Sequence, residues 1–481
     1  MTGNSRGPLR PDLCVIGAGA AGLTVAAGGA QMGASVVLIE KGEMGGDCLN
    51  VGCVPSKALL AAGAAAQAAR DAGRFGVRLP EPEIDFPAVM AHMRDVIAGI
   101  APMDSVERFE GLGVTVLHDR ARFVDARTVE TDDGTRIRAR RFVVATGSRP
   151  AVPPIPGLET VPYLTNETVF GLTERPAHLL ILGGGPIGCE LAQAFRRLGT
   201  RVTLVEGGRI LGRDDPDLTA VVRDRLTGEG VDLREGWRAG PVAPTDAGVR
   251  VHLSDRAGRE TAVDGSHLLV ALGRQPVTDT LDLNGGHIGH TEKGITVDEG
   301  LRTSNRRVYA IGDVAGGPQF THVAGYHGAL VLKSALFRLP IKASATPIPH
   351  VTYTDPELAA VGLSEAQARE RHGDGIRVLR WTFEDNDRAR CERATEGFVK
   401  LVTDRRGRLL GVGIVGRHAG EVLAPWILAL HKRMKAGALA TMVAPYPTLS
   451  ETTKRTAGSY FTPGLFSGRT QRLVRLLARL G

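Results

Sequence analysis

Two stretches of the chain are built alike: LCVIGAGAAG at residues 13–22 and LLILGGGPIG at residues 179–188. Each begins with four apolar residues, as a buried parallel strand does, and continues through the glycine spacing GxGxxG. A segment typical of a helix follows, and then a second apolar strand that ends in an acid, Glu40 or Glu206. The repeat therefore predicts two units of strand, turn, helix and strand.

The glycine spacing and the acid that follows it each have a physical explanation. Glycine lets the backbone approach a pyrophosphate at the positive end of a helix, and an acid about 20 residues onward accepts hydrogen bonds from a ribose hydroxyl. A lone GxGxxG is weak evidence, because many tight turns use glycine for packing alone, but here each copy has its strand, helix and acid. We therefore predict two Rossmann-like domains that bind FAD and a nicotinamide dinucleotide. The expected contacts are Gly17, Gly19, Gly22 and Glu40 for the first dinucleotide and Gly183, Gly185, Gly188 and Glu206 for the second.

Length and composition narrow the class of protein. With 481 residues, 43% of them hydrophobic and 23% charged, the chain is long enough for about three globular domains. No stretch reaches the about 20 apolar residues of a membrane span, and Met1–Pro11 lacks the apolar core of a secretory signal. Five cysteines are too few for a disulfide framework. We therefore expect a cytoplasmic protein.

The basic character of the chain is concentrated at its end. Six Lys and Arg residues and no acid follow Glu451, so residues 1–451 carry only +1 of the net charge of +7. With three Trp and six Tyr available to stack on bases, and no basic stripe elsewhere, nucleic-acid binding is not expected.

The last residues predict a basic amphipathic helix. Four leucines follow the spacing i, i+3, i+4, i+7, and three arginines lie on the adjoining face. They are Leu473, Leu476, Leu477 and Leu480, with Arg472, Arg475 and Arg479. Such a helix packs on protein or lies weakly at an anionic membrane surface, and the sequence leaves both interpretations open.

Two cysteines lie five residues apart in GGDCLNVGCVPSK, residues 45–57. Cys48 and Cys53 could form half of a zinc site, but no second cysteine pair follows at ligand spacing. They could also be inert core thiols, as we expect for Cys14 and Cys189. The neighbouring dinucleotide turn and the helix start near Pro55, which lowers a thiol pKa, favour a redox-active dithiol.

The cysteine motif resembles that of the class I pyridine nucleotide-disulfide oxidoreductases, the family of dihydrolipoamide dehydrogenase, glutathione reductase and mercuric reductase. Further matches to this family run to about Lys454. They are ATGS at residues 145–148, ALGR at 271–274, YAIGD at 309–313 and YTDPE at 353–357.

The resemblance implies an α/β fold with two Rossmann-like dinucleotide-binding domains, a C-terminal α+β dimerisation domain and a homodimer. The implied divisions are an FAD-binding domain at 1–150 and 275–345, an NAD(P)-binding domain at 151–274, a dimerisation domain at 346–455 and a basic tail at 456–481.

The resemblance also implies roles for single residues. Cys53 matches the thiol that lies against the flavin, and Cys48 matches the exchange thiol that faces substrate. Lys57 is expected near the reactive nitrogen of the flavin and Glu190 is expected to pair with it, the alternative being two solvated surface charges. Asp313 matches a residue that binds a flavin ribityl oxygen, although it could also be an ordinary helix N-cap. The other expected cofactor contacts are Thr146, Gly147, Gly273 and Gly312.

One departure from the family pattern bears on which electron acceptor the enzyme would use. Its disulfide reductases carry a His-Glu pair in an HPTxSE motif, which acts on the exchange cysteine of the partner subunit. Here the motif reads APYPTLSE, so Tyr446 occupies the histidine position and Glu451 keeps the acid. A phenol with a pKa of about 10 is a poor base at neutral pH, which argues against exchange with lipoamide or glutathione.

The mercuric reductase branch also has a tyrosine here, with an acid five residues on. That branch ends in a cysteine pair, whereas this chain has no cysteine after Cys391 and no N-terminal CxxC domain. We therefore predict an enzyme that passes electrons from a nicotinamide through FAD to Cys48 and Cys53, and then to a metal ion, a quinone-like oxidant or a disulfide. We predict no resident metal site. A dihydrolipoamide dehydrogenase and a non-catalytic flavoprotein subunit remain alternatives.

The acid of the second unit predicts the coenzyme. Glu206 would accept from a ribose 2′-hydroxyl and repel a 2′-phosphate, so NADH is expected over NADPH. Arg209, three residues onward, weakens this preference.

Overall fold

The structure is a computed structural model that describes residues 7–343 and 347–480. The chain forms two compact units. The first comprises Met1–Gly183, Ala194–Val205 and Trp237–Ala345, and the second comprises Gly184–Gln193, Glu206–Gly236 and Thr346–Gly481. The predicted boundary at 345/346 lies outside the described residues, and the predicted boundaries at 150, 274 and 455 stay predictions.

The helices and strands alternate along most of the chain. The helices are α1 (Ala20–Gln31), α2 (Gly46–Asn50), α3 (Cys53–Asp71), α4 (Phe86–Ile100), α5 (Val106–Gly111), α6 (Pro186–Arg197), α7 (Pro216–Gly228), α8 (Thr321–Phe337), α9 (Glu365–His372), α10 (Asp387–Cys391), α11 (Ala419–Val422), α12 (Ala424–His431), α13 (Ala436–Ala440), α14 (Glu451–Ser459), α15 (Thr462–Leu465) and α16 (Gly468–Leu477). The strands are β1 (Leu13–Ile16), β2 (Val36–Glu40), β3 (Val114–His118), β4 (Ala121–Asp125), β5 (Thr128–Thr131), β6 (Arg136–Ile137), β7 (Arg141–Val144), β8 (Ser148–Pro150), β9 (His178–Leu182), β10 (Arg201–Glu206), β11 (Asp232–Glu235), β12 (Trp237–Thr245), β13 (Gly248–Asp255), β14 (Glu260–Gly265), β15 (His267–Val270), β16 (Arg274–Pro276), β17 (His290–Thr291), β18 (Gly294–Ile295), β19 (Val308–Ala310), β20 (His350–Thr352), β21 (Glu357–Gly362), β22 (Ile376–Thr382), β23 (Phe398–Asp404) and β24 (Leu409–Gly416).

The first GxGxxG copy begins at the centre of a five-stranded parallel sheet with the order β19-β7-β1-β2-β3. All four residues of β1 are buried, because helices cover one face of the sheet and the antiparallel strands β4, β5 and β6 cover the other. Burial on both faces explains why the strand reads as a continuous apolar run. The predicted strand, turn, helix and strand are confirmed.

The second copy repeats this arrangement. Strand β9 lies between β10 and β15 in a parallel sheet, and the antiparallel strands β12, β13 and β14 pack near it. Each predicted Rossmann-like unit is therefore accompanied by a three-stranded antiparallel sheet. The repeat that is visible in the sequence covers only residues 13–40 and 179–206, and it does not include these antiparallel sheets.

Helix α3 begins within the cysteine motif, and α4 packs against it. Within the described residues, the helical stretch Gly46–Phe75 is long and apolar enough to cross a membrane by length and composition. The expectation that no stretch would reach this length is therefore not met. Much of the apolar character of this stretch comes from alanine. Length and composition alone are weak evidence for a membrane span, because the core helices of other proteins can be equally long and apolar.

The C-terminal residues form the antiparallel sheet β20-β21-β24-β23-β22 with helices α11 to α14. Trp426 is fully buried between this sheet and the helices, together with Phe383 and Ala457. The α+β character predicted for this part of the chain is confirmed.

A buried lysine joins three elements of the second unit. The Lys400 side chain, 7% exposed, extends from β23 and donates to Asp215 at 2.9 Å, to Asp217 at 2.9 Å and to Glu365 at 2.7 Å. Burial by itself would lower the pKa of Lys400, but the three carboxylates raise it above its usual value. Lys400, Asp215 and Glu365 line a cavity of about 130 Å³. The lysine therefore stays charged and fastens α7 and α9 to the sheet.

Replacing Lys400 with Met should lower the free energy of unfolding by about 3 kcal/mol, because Asp215 would lose its cation while remaining buried. The denaturation midpoint followed by tryptophan fluorescence measures this effect. Lys432→Met, which removes an exposed lysine from the same unit, is the control and should change the stability by less than about 0.5 kcal/mol. Equal midpoints for the two variants would contradict a stabilising role for the cluster.

Candidate active site

The first glycine turn has the close contacts that glycine allows. Gly17 has a φ of +105°, and a Cβ atom there would overlap the carbonyl oxygen of Ala145. A Cβ atom at Gly22 would overlap the carbonyl oxygen of Gly17, whereas the nearest atom to one at Gly19 is 4.0 Å away. Close packing therefore requires glycine at positions 17 and 22. Gly19 instead borders the space that a phosphate would need at the start of α1.

The second turn has the same geometry. Gly183 has a φ of +109°, a Cβ atom there would overlap the carbonyl oxygen of Ala271, and nothing lies within 4 Å of one at Gly185. Gly188 follows in the first turn of α6. Like the first turn, the second therefore leaves open space at its middle glycine, where the phosphates of a dinucleotide would lie.

Each predicted acid lies beside its own glycine turn. Glu40 accepts hydrogen bonds from the backbone amides of Ala18 at 2.6 Å and Gly42 at 2.8 Å. Glu206 accepts from the amides of Gly184 and Gly208, both at 2.8 Å. These bonds fix each carboxylate at the end of its strand, and its remaining lone pairs can accept from ribose hydroxyls.

The predicted redox pair lies where two helices meet. Cys48 is within α2, and Cys53 is the first residue of α3. Both are free thiols in the structure. The interaction with Cys53 and the burial of Cys48 raise the pKa of the Cys48 thiol. Cys53 has a further neighbour, since its sulfur lies 3.4 Å from the hydroxyl of Thr321.

The remaining cysteines are separate from this pair. Cys14 and Cys189 are buried, and burial raises their thiol pKa, which agrees with the expectation of inert core thiols. Cys391 is exposed at the end of α10.

Three family motifs meet in one polar network. Arg274 donates to the Ser148 hydroxyl at 2.7 Å, and that hydroxyl donates to Asp313 at 2.6 Å. Arg274 also forms an ion pair with Asp47 at 3.2 Å. Asp313 has no capping role, because Ile311 is the N-cap residue of the short helix Gly312–Ala315. The sequence had assigned roles only to some residues of these motifs, and it missed Asp47, Ser148 and Arg274.

The glycines of these motifs allow the backbone to turn at the same network. Gly147 and Gly312 each have a φ of +68°, and Gly273 has a φ of +125°. Nothing lies within 4 Å of a Cβ atom at Gly147 or Gly273, so both border open space that suits a cofactor. Thr146 turns inward and donates to the carbonyl oxygen of Val277 at 2.8 Å.

Lys57 and Glu190 lie in different surroundings. Lys57 is half-buried and donates to the Ser56 hydroxyl at 3.4 Å. Glu190 is buried and accepts a hydrogen bond from the backbone amide of Tyr353 at 2.9 Å, so it is not a solvated surface charge. The ion pair between Lys57 and Glu190 stays a prediction.

Tyr446 has a partner that the sequence had not indicated. Its side chain is exposed, and its hydroxyl donates to Asp387 at 2.9 Å. This hydrogen bond raises the pKa of the phenol. The phenolate form of Tyr446 is therefore even scarcer at neutral pH than that of an ordinary tyrosine, and its hydroxyl donates a hydrogen bond. Glu451 begins α14, and the action of these two residues on the exchange cysteine stays a prediction.

No group of three or more His, Cys, Asp or Glu side chains within residues 7–343 and 347–480 is arranged to hold a metal ion. The sites that the described residues do form are two dinucleotide turns and one pair of interacting thiols. Together they define an oxidoreductase that couples bound dinucleotides to a dithiol.

Comparison with known proteins identifies the family. The chain belongs to the FAD-dependent pyridine nucleotide-disulphide oxidoreductases, whose family pattern matches residues 11–328, with the dimerisation domain of the same family at residues 348–457. The dimerisation domain indicates a homodimer. The family predicted from the sequence is confirmed.

Similar proteins include a mercuric reductase from Streptomyces lividans, 38% identical over 456 residues that cover 93% of this chain and 96% of the relative. A dihydrolipoyl dehydrogenase from Geobacillus stearothermophilus is 35% identical over 453 residues, or 92% of this chain and 94% of the relative. Among solved structures, the Cu(II) complex of the HOCl-induced flavoprotein disulfide reductase RclA from Escherichia coli has a TM-score of 0.83 and 27% identity. It covers 92% of this chain and 98% of that one.

Proposed function

We propose that this enzyme passes two electrons from NADH to the Cys48–Cys53 pair and from there to a metal ion or a quinone-like oxidant. Bound FAD would carry the electrons between the nicotinamide and the disulfide. The two dinucleotide turns, with Glu40 and Glu206, would hold the cofactors. The cysteine pair would open to two thiols on reduction and close again to a disulfide when the acceptor takes the electrons.

The observation that carries this choice of acceptor is the Tyr446–Asp387 hydrogen bond. Thiol–disulfide exchange needs a base beside the exchange thiol, and a phenol whose pKa is raised by a carboxylate does not supply one at neutral pH. Soft metal ions bind thiolate directly and need no such base. The mercuric reductase relatives and the Cu(II) complex of RclA support a metal-ion acceptor.

Dihydrolipoamide oxidation is the second candidate, because dihydrolipoyl dehydrogenases are nearly as similar in sequence as the mercuric reductases. A non-catalytic subunit has less support, since the family is one of enzymes. The missing histidine at position 446 disfavours the lipoamide reaction but leaves the cysteine pair available for it.

Anaerobic reduction of the FAD-loaded protein with one equivalent of NADH should produce two additional thiols that alkylation and mass measurement can count. Cu(II), Hg(II) or a quinone should then support NADH turnover at least about 100-fold faster than oxidised lipoamide, a difference of about 2.7 kcal/mol in activation free energy. Cys53→Ser should abolish both thiol formation and turnover. Cys391→Ser removes the exposed cysteine outside the motif and should leave both unchanged. Efficient NAD-dependent oxidation of dihydrolipoamide would favour the second candidate instead.

We propose NADH as the preferred coenzyme because the Glu206 carboxylate is fixed beside the second glycine turn. The wild-type enzyme should prefer NADH to NADPH by at least about tenfold in kcat/KM, and Glu206→Ala should narrow that ratio by removing the repulsion of the 2′-phosphate. Glu260→Ala, at an exposed acid, controls for the change in net charge. A wild-type preference for NADPH would overturn the assignment.

We also propose a cytoplasmic location with weak contact between the C-terminal helix and an anionic membrane surface. Helix α16 contains three of the four leucines of the tail and ends at Leu477, before Leu480, and none of its residues is buried. Leu473, Leu476 and Leu477 are each more than half exposed, and the dimerisation-domain match ends at residue 457. Within the described residues these leucines are therefore only partly covered by their own chain. The arginines complement anionic lipid headgroups.

Co-sedimentation with vesicles at low salt tests this contact. The full-length protein should sediment with phosphatidylserine-containing vesicles, and a chain truncated after Ser467 should remain in the supernatant. Binding should fall with added salt, because it depends on arginine charge, and should be absent with neutral vesicles. Equal recovery of both forms with anionic vesicles would exclude a membrane role for the tail.

A further inference from the structure

The segment between the two cysteines is held by one buried amide. The side-chain nitrogen of Asn166 donates to Asp47 Oδ1 at 3.3 Å and to the carbonyl oxygen of Val51 at 3.2 Å. Asp47 directly precedes Cys48, and Val51 lies between Cys48 and Cys53. Asn166 therefore holds the chain on both sides of the exchange thiol.

Arg274 contacts both the Asn166 amide and Asp47. One of its terminal nitrogens donates to Asn166 Oδ1 at 3.3 Å, and the other pairs with Asp47 Oδ2 at 3.2 Å. The same guanidinium also donates to the hydroxyl of Ser148 at 2.7 Å and to its carbonyl oxygen at 2.9 Å. Because Arg274 lies in β16, which pairs with β8, the support comes from a sheet and not from a mobile loop. We name the contacts of Asn166 and Arg274 with Asp47 and Val51 the loop brace.

Burial makes the loop brace stiff. Asn166 is 7% exposed and the Arg274 side chain is 13% exposed. Hydrogen bonds in such surroundings are stronger than in water, and the loss of one member leaves unmade hydrogen bonds on the groups that it contacted. The Asn50 side chain further fixes α2, since it donates to the carbonyl oxygens of Met44 and Gly46, both at 3.0 Å.

A stiff segment affects the redox equilibrium of a dithiol. Oxidation forms one S–S bond and releases two electrons and two protons, and it restricts the chain between the two sulfurs. If the loop brace already restricts that chain in the dithiol state, closing the bond loses less conformational freedom. The disulfide is then more stable, and its reduction potential is more negative.

We propose that Asn166, supported by Arg274, is a positioning residue that holds Cys48 near Cys53 and thereby stabilises the disulfide against reduction. This inference rests on the assignment of Cys48 and Cys53 as the redox pair. Nothing in it depends on which acceptor oxidises the dithiol.

The dithiol–disulfide equilibrium of the FAD-loaded protein tests the proposal without turnover. The experiment compares wild type with Asn166→Ala and Asn166→Ser, each equilibrated anaerobically in buffers of reduced and oxidised dithiothreitol. In these buffers, one reduced dithiothreitol gives two electrons and two protons to each protein disulfide that is reduced. Free thiols are then alkylated and counted by mass. Both variants should form the disulfide about tenfold less favourably, a shift of about 30 mV toward less negative potential. Asn166→Ser serves as the second variant in case the alanine variant does not fold.

Asn305→Ala is the matched control. Asn305 lies in the same unit, and its amide also donates to two backbone carbonyl oxygens, those of Ala126 at 2.9 Å and Gly286 at 2.8 Å, but it does not contact the cysteine segment. The control should lose stability without a change in the potential. An equilibrium within twofold of wild type in both Asn166 variants would overturn the proposal, and so would a disulfide more stable than that of wild type. If the wild type forms no disulfide between Cys48 and Cys53, the assignment of the redox pair is wrong and the inference falls with it.

Discussion

The site depends on one close approach of two backbone segments, which the chain makes twice. In the first copy, Gly17 directly follows β1 and lies against the carbonyl group of Ala145. In the second copy, Gly183 directly follows β9 and lies against the carbonyl group of Ala271. The hydrogen bonds repeat as well: Ala145 donates to Ile16 at 2.8 Å and Ala271 donates to Leu182 at 2.8 Å. A side chain at either glycine would push the neighbouring strand away and close the space at the start of the helix. The repeat is therefore a repeat of backbone contacts, and the sequence similarity follows from them.

The two contacts also determine where the chain goes next. After Ala145 and Ala271 the chain leaves the parallel sheets and forms β8 and β16, which pair in antiparallel register with Arg274 opposite Pro150. This pairing brings Arg274 to Ser148 and Asp313. A residue that follows the second nucleotide-binding sheet thus supports the cysteine segment that follows the first. The internal symmetry of the fold builds a site that neither repeat could form by itself.

The parts of the structure that were predictable are those with a local physical signal. The strand and glycine turns at residues 13–22 and 179–188 follow from apolar runs and from φ values that glycine alone adopts readily, and the tail helix follows from the leucine spacing. The loop brace has no such signal. Asn166 and Asp47 are 119 positions apart, and Cys53 and Thr321 are 268 apart. Contacts of this kind are decided by the pairing of whole strands and helices, so a motif can mark the residues without revealing what they touch.

Two groups, one in each compact unit, have a protonation state that bears on the proposed acceptor. Burial and the neighbouring Cys53 sulfur raise the pKa of the Cys48 thiol, and the Asp387 carboxylate raises that of the Tyr446 phenol. An exchange reaction with an organic disulfide needs a thiolate, and the raised pKa of the Cys48 thiol makes that form scarce. A soft metal ion changes the balance, because it binds sulfur strongly enough to displace the thiol protons itself. Under the proposed function, the raised pKa of the Cys48 thiol therefore favours a metal-ion acceptor, because such an acceptor itself supplies the driving force for deprotonation.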